Sequence, residues 1–384
     1  MQQLNDSHPA MRCIGNYLPR ELSQKLVEMG HPAYRGNQLF RAVYAQQPLP
    51  DGDIQQITVL PQILRQELAE YFGPAMRAVK LGEAQKSADG TVKMLFHLLD
   101  DTAVETVLIP SEMVDEQGDP RRRTLCISTQ VGCALGCAFC ATASLKLKRN
   151  LAVAEIVDQF MAAREICQTD ITNIVFMGMG EPMLNYDNVM KAVQILCWGD
   201  NPLMSPRHIT LSTAGVVPGI IRMADEKSPI KLAISLHATT NGQRRALMPI
   251  ARKFELSTLL DAAEYYYRKT RRAITYEYIL FQGFNDSEED ARRLAKITRR
   301  VPSKVNVIPF HEIEFTSPEG LAAELKPAPA HTFHAFIQSL KNKDVTVMVR
   351  SSSGLDIDAA CGQLAFSNAA PTVQLTPDIS LDEA

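Results

Sequence analysis

The sequence predicts an α/β fold: a partial (β/α)6 barrel preceded by a small N-terminal helical domain and a β-meander. Three observations carry this expectation. Short apolar runs rich in β-branched residues recur at 124–129, 172–178, 208–213, 231–237, 274–281, 304–310 and 344–350. Helical patterns lie between most of them, at 153–166, 186–197, 217–226, 255–269, 287–300 and 329–342. Upstream, two runs of period-2 alternation, 91–99 and 102–109, flank Asp100-Asp101. Repeated strand–helix units require a parallel sheet covered on both faces, because each crossover helix returns the chain to the same end of the sheet. A partial barrel and an open doubly wound sheet both satisfy that pattern.

The elements follow in order. Residues 1–12 are polar and read as an unstructured leader. Residues 13–75 form the helical domain: Pro19 opens a helix that Gly30 stops, and further helical patterns cover about 35–45 and 60–72. Gly73-Pro74 breaks the chain. Residues 76–123 form a β-meander linker, ending in Arg121-Arg122-Arg123. Residues 124–365 are the barrel. The tail, 366–384, is small, polar and acidic, the composition of a disordered segment. The balance of 40 Lys+Arg against 43 Asp+Glu gives a net charge of −3, which excludes a generic polyanion-coating protein but not a local basic surface. The sequence has no run of about 18 apolar residues and no apolar stretch at its start, so a cytoplasmic location without membrane contact is expected.

Four of the eight cysteines fall between Cys126 and Cys140. Within this group Cys133, Cys137 and Cys140 are spaced x3 then x2, just after the first parallel strand. Loops at strand C-termini carry the chemistry of α/β barrels. Three thiolates suit a four-iron cluster with one iron left open. A zinc knuckle would need a fourth ligand from elsewhere in the chain. Met177-Gly-Met-Gly180-Glu181-Pro182 follows the second strand, where glycine admits close backbone approach and the carboxylate can pair with an ammonium. Ser212 ends the third strand, and Ser235-Leu236-His237 ends the fourth.

The CxxxCxxC triad with this Gly-Glu turn resembles the radical S-adenosylmethionine (SAM) superfamily. TLCISTQVGCALGCAFCAT, FMGMGEPMLN, ITLSTAGVVP, LAISLHA and DIDAACGQLA, in this order, resemble its dual-specificity RNA adenine-C2 methyltransferases over roughly 15–365. The related adenine-C8 enzymes carry Gly-Glu-Ala where this sequence has Gly180-Glu181-Pro182.

The resemblance implies a [4Fe-4S] cluster on Cys133, Cys137 and Cys140, one per chain. It implies SAM, two per turnover, held by Gly180, Glu181, Ser212, Ser235, Leu236 and His237. His311 stands where the family has an Asn that contacts the cofactor. Cys361 is implied as the methyl carrier, Cys126 as the thiol that releases product by forming a disulfide with it, and Glu105 as the proton acceptor. Adenine C2 is electron-poor and no nucleophile, so polar displacement on a sulfonium cannot methylate it; a radical route avoids that requirement. The implied partners are 23S rRNA, tRNA at adenosine 37, and an electron donor such as flavodoxin, with the enzyme a monomer. Arg121, Arg122, Arg123, Lys146, Lys148, Arg149, Arg244 and Arg245, all near strand-end motifs, are candidates for phosphate contact, and the helical domain is expected to help grip RNA.

Overall fold

The computed structural model describes residues 8–44, 53–73, 77–349 and 353–365. Its first helices are α1 (Pro19–Glu28), α2 (Tyr34–Val43) and α3 (Gln62–Phe72). Pro19 sits in the first turn, where its missing N–H costs nothing, and Glu21 accepts a 2.7 Å bond from the Leu18 N–H. Leu22, Leu26, Leu39, Phe40, Leu64 and Leu68 face inward at helical spacing and pack together.

The strands form one ten-stranded sheet in the order β1 (Val79–Lys86), β2 (Val92–Leu98), β3 (Ala103–Pro110), β4 (Arg123–Cys126), β7 (Asn173–Phe176), β8 (Ile209–Thr213), β9 (Lys231–Ser235), β10 (Ile274–Leu280), β11 (Ser303–Pro309) and β12 (Val347–Val349). β1 to β4 pair antiparallel, and β4 onward pairs parallel. Strand order follows chain order throughout the parallel part. A doubly wound sheet reverses order at a switch point, so this is the singly wound arrangement of an incomplete barrel. The stretch expected as a linker extends the barrel sheet: Val107 pairs with Cys126 in register. A separate ribbon, β5 (Gln130–Val131) with β6 (Arg149–Asn150), lies in the first long loop.

The crossovers are α4 (Val153–Cys167), α5 (Tyr186–Leu196), α6 (Val217–Asp225), α7 (Asn241–Leu247) with α8 (Leu256–Thr270), α9 (Glu288–Thr298), and α10 (Leu321–Glu324) with α11 (Ala330–Lys341). Six such βα units and a closing strand follow the sequence pattern closely. The helical domain docks on α4, whose Ala154 N–H donates to Asn16 Oδ1 at 2.9 Å, and on α5 through Lys191 and Glu21 at 2.8 Å. No helix among the described residues is long and apolar enough to cross a membrane.

One expectation is corrected here. Residues 8–12 are not a frayed leader. Pro9–Arg12 make a 3-10 turn, Ala10 is fully buried, and its carbonyl accepts from Asn16 Nδ2 at 2.6 Å. His8 reaches Asp100 at 3.3 Å. Polar composition hid the single small residue that the turn buries. The rest of the expected leader, 1–7, and the expected disordered tail, 366–384, lie outside the described residues.

Candidate active site

The cysteine loop leaves β4 and is pinched at its base by the β5–β6 ribbon. Gln130 Nε2 donates to Asn150 Oδ1 at 2.7 Å and the Lys148 N–H to the Val131 carbonyl at 2.9 Å. Gly132 sits at φ +74°, and a Cβ there would lie 1.7 Å from the Lys146 carbonyl oxygen. Only glycine lets the two arms of the loop meet this closely. Cys133, Cys137 and Cys140 thus line one cavity of about 140 Å³ at the C-terminal end of the strands, together with Gly180, Glu181, Ser212, Ser235 and His237.

The three thiols face a low-dielectric pocket. Burial pushes Cys133 up to about 12, with Cys140 and Glu181 adding to it. Burial, then repulsion from Cys140, Cys133 and Glu181, drives Cys137 upward. Three thiolates crowded here need a cationic partner to be stable. Among the described residues no three thiol, imidazole or carboxylate groups are placed to hold one metal ion. A zinc knuckle needs its sulfurs about 2.3 Å from a single point, whereas an iron–sulfur cluster takes one thiolate on each of three separate irons. Three thiols lining one cavity fit the cluster.

Glu181 is buried, and both oxygens are engaged: Oε1 accepts from the Met183 N–H at 3.0 Å and Oε2 from the Ala214 N–H at 2.7 Å. Burial nonetheless raises its pKa to about 7. A bound ammonium would restore the charged form. Gly180, at φ +98°, lies against Gln130, where a Cβ would meet the Gln130 Cβ at 2.5 Å. His237 is in the left-handed region, φ +51°. Its Nδ1 accepts from the Ile279 N–H at 3.0 Å, which puts the ring proton on Nε2. Burial, with Arg244 nearby, lowers its pKa to about 3, so the ring is neutral. Its edge meets Phe139 of the cysteine loop, ring centroids 4.7 Å apart.

A second cavity, of about 990 Å³, opens beneath the first and fills the barrel toward the N-terminal ends of the strands. Four residues line both: Met177, Glu277, Ile308 and Cys361. Cys361 is held there by its loop. The Ala141 N–H donates to the Gly362 carbonyl at 2.6 Å and Thr142 Oγ1 to the Leu364 carbonyl at 2.7 Å.

Register locates the remaining two residues. Thr124 lines the large cavity, and Cys126 is two residues on, hence on the same face. Its partner on β3 is Val107, which puts Glu105 on that face as well. Both are buried behind the cavity wall. Glu105 Oε1 lies 3.9 Å from Lys93 Nζ, itself 4% exposed. Ser128 Oγ donates to the Glu105 carbonyl at 2.6 Å and accepts from the Met179 N–H at 2.9 Å, which ties the meander to the Gly-Glu turn.

Not every expected contact is brought to the cofactor cavity. The Leu236 side chain points into the core, and its N–H is used by the Glu277 carbonyl at 3.0 Å. His311 lines the large cavity instead. Of the basic candidates, Arg149 is buried between Asp100 (2.7 Å) and Glu155 (2.8 Å). Arg244 is fully buried under the cysteine loop, its Nη2 donating to the Ala214 carbonyl at 2.6 Å. Neither can meet a phosphate; a run of basic letters does not reveal such partners. Arg123 and Arg245 pair with Asp119 and Glu255. Glu277, buried and accepting from Asn306 Nδ2 at 3.1 Å, lies outside every sequence motif of the site. Its signal is an acidic residue between two aromatics in the buried strand ITYEYIL.

A model of the radical SAM superfamily matches residues 127–295. The probable dual-specificity RNA methyltransferase RlmN of Salinibacter ruber is 44% identical over 90% of this chain and 91% of its own. The dual-specificity RNA methyltransferase RlmN of Anaeromyxobacter dehalogenans is 40% identical over 95% and 94%. The crystal structure of a radical SAM methyltransferase from Sphaerobacter thermophilus superposes with a TM-score of 0.81 at 38% identity, covering 92% of this chain and 98% of that one. Radical SAM enzymes use a [4Fe-4S] cluster and SAM, and the chemistry of the three-thiol cavity and the Gly-Glu turn suits that pair. Joined to the barrel and its cysteine loop, this similarity over nine-tenths of the sequence means that the chain belongs to the RlmN family of radical SAM RNA methyltransferases.

Proposed function

We propose that this chain methylates C2 of an adenosine in 23S rRNA and of adenosine 37 in tRNA, using two SAM molecules per turnover and carrying the methyl on Cys361. The observation that carries this reading is the position of Cys361 on the wall shared by the two cavities. A carrier must reach a cofactor on one side and a base on the other.

Cys133, Cys137 and Cys140 would hold one cluster per chain. Gly180 and Glu181 would take the methionine ammonium, with Ser212, Ser235 and the neutral His237 offering hydrogen bonds around the rest of SAM. Bound there and reduced, the pair supplies hydrogen-atom abstraction. The remaining steps belong to this chain. Cys361 accepts a methyl by displacement, for which its thiolate is the competent nucleophile. Its sulfur then holds the activated carbon against C2. Glu105 removes the C2 proton. Cys126, as the thiolate, attacks the Cys361 sulfur: the S–S bond forms as the S–C bond breaks, the electron pair of that bond stays on the carbon, which takes up a proton to become the product methyl, and the disulfide must be reduced before the next turnover. The apolar wall of Phe139, Ile279 and Ile308 keeps water from the reacting carbon.

The helical domain, 13–75, would grip RNA, and a donor such as flavodoxin would deliver the electron to a monomeric enzyme. Cytoplasmic RNA substrates imply a cytoplasmic address. The test is anaerobic turnover of the iron-loaded protein with an RNA fragment and mass spectrometry of its nucleosides. The expected product is 2-methyladenosine. Formation of 8-methyladenosine, or of no methylated adenosine, would overturn the assignment.

A further inference from the structure

The larger cavity has a basic rim that the cofactor chemistry does not use. It is lined by Arg122 before β4, Lys231 at the first position of β9, Arg272 before β10 and Lys304 at the second position of β11. All four sit at the N-terminal end of the barrel, opposite the cysteine loop. None forms an ion pair among the described residues, whereas neighbouring Arg123 is paired with Asp119. The one carboxylate among the described residues lining this cavity is Glu277, deep at the junction. The cations also face one another: Lys304 and Arg122 both push the Lys231 ammonium downward, after burial. In a chain of net charge −3, unpaired cations converging on one opening form a local sink for a polyanion.

The opening leads to Cys361. On β11 the residues Lys304, Asn306 and Ile308 share one face, and all three line the cavity. From the rim at Lys304 to the junction at Ile308 is four residues, about 13 Å. An extruded nucleotide can span that depth while its phosphates stay outside. We propose that Arg122, Lys231, Arg272 and Lys304 seat the phosphates flanking the target adenosine, and that the base reaches Cys361 through the strand N-terminal mouth of the barrel. The proposal rests on the RNA reading above and adds the surface and the route.

The test uses the iron-loaded full chain and a hairpin RNA with the target adenosine in its single-stranded loop. Lys231→Gln, Arg272→Gln and Lys304→Gln are combined, and affinity is followed by fluorescence anisotropy against KCl concentration. The expected result is binding at least about tenfold weaker, with the log–log salt slope shallower by roughly 2, near 0.7 per lost contact. A Lys231→Arg/Lys304→Arg variant keeps the charge and is expected to bind as the unaltered protein does. Unchanged affinity and slope in the Gln variant would overturn the proposal, as would equal loss in the Arg variant, which would make the effect steric. Unchanged RNA affinity with slowed reduction by an acidic flavoprotein would assign the rim to protein docking and also overturn it. RNA bound through these cations but never converted to 2-methyladenosine would instead sink the proposed function and leave this surface standing.

Discussion

The carbonyl of Gly362 accepts a 2.6 Å hydrogen bond from the N–H of Ala141. The residue after Cys361 is thereby fastened to the residue after Cys140. Two cysteines more than 200 positions apart in sequence line one cavity, with this backbone contact beside them. The distance between the proposed methyl carrier and the three-cysteine loop is therefore set by hydrogen bonds to the backbone of the Cys361 loop, with Thr142 Oγ1 to the Leu364 carbonyl at 2.7 Å as the second.

That contact gives a first prediction. Gly362 has φ +88°, and a Cβ there would sit 3.0 Å from the Phe139 carbonyl oxygen. Gly362→Val should undock the Cys361 loop and cost roughly 1–3 kcal/mol of stability. Iron content should persist, while methylation of Cys361, read by peptide mass spectrometry, falls at least tenfold.

Gly132→Ala should act on the other side. A Cβ 1.7 Å from backbone cannot be relieved by a rotamer change. The arms of the cysteine loop must separate, and iron bound per chain after anaerobic reconstitution should drop well below that of the unaltered protein. Full iron loading would show that the pinch is not needed.

If Glu181 takes the methionine ammonium as proposed, SAM affinity depends on pH. Burial holds its pKa near 7, and only the ionised form pairs with an ammonium. Affinity, measured by equilibrium dialysis, should strengthen between pH 6 and pH 8. Glu181→Gln should bind more weakly and lose this dependence; a parallel pH profile in that variant would remove Glu181 from the explanation.

His237 makes stability depend on pH in the acid range. Its pKa falls from 6.5 to about 3 on folding, so the unfolded chain takes up the proton first. Its contribution is whole above pH 6.5 and is lost as pH falls toward 3, at up to about 1.4 kcal/mol per pH unit. His237→Gln should flatten the fall of Tm across that window.

What could be read from the sequence was local. Cys133, Cys137 and Cys140, and the Gly180-Glu181 turn, announce themselves by spacing after a strand, and the βα alternation follows from period and length. What could not be read depends on partners far along the chain. Arg149 looks like a phosphate contact beside Lys148, but its carboxylates are Asp100 and Glu155, one of them in the meander turn. His311 follows β11 by two residues, yet it turns into the large cavity rather than the cofactor cavity, because the side a loop residue faces is set by packing. No motif of the site includes Lys93 or Glu277, and the fold puts one beside Glu105 and the other at the meeting of the two cavities.

In the proposed mechanism Cys361 passes its carbon to the base and Cys126 then frees the product. Anaerobic turnover of Cys126→Ala, followed by mass spectrometry of the protein, tests it most directly. The expected result is an RNA fragment joined to Cys361 through one added carbon, accumulating to a large share of one per active chain. Release of free methylated RNA at the unaltered rate, with no joined species, would contradict it.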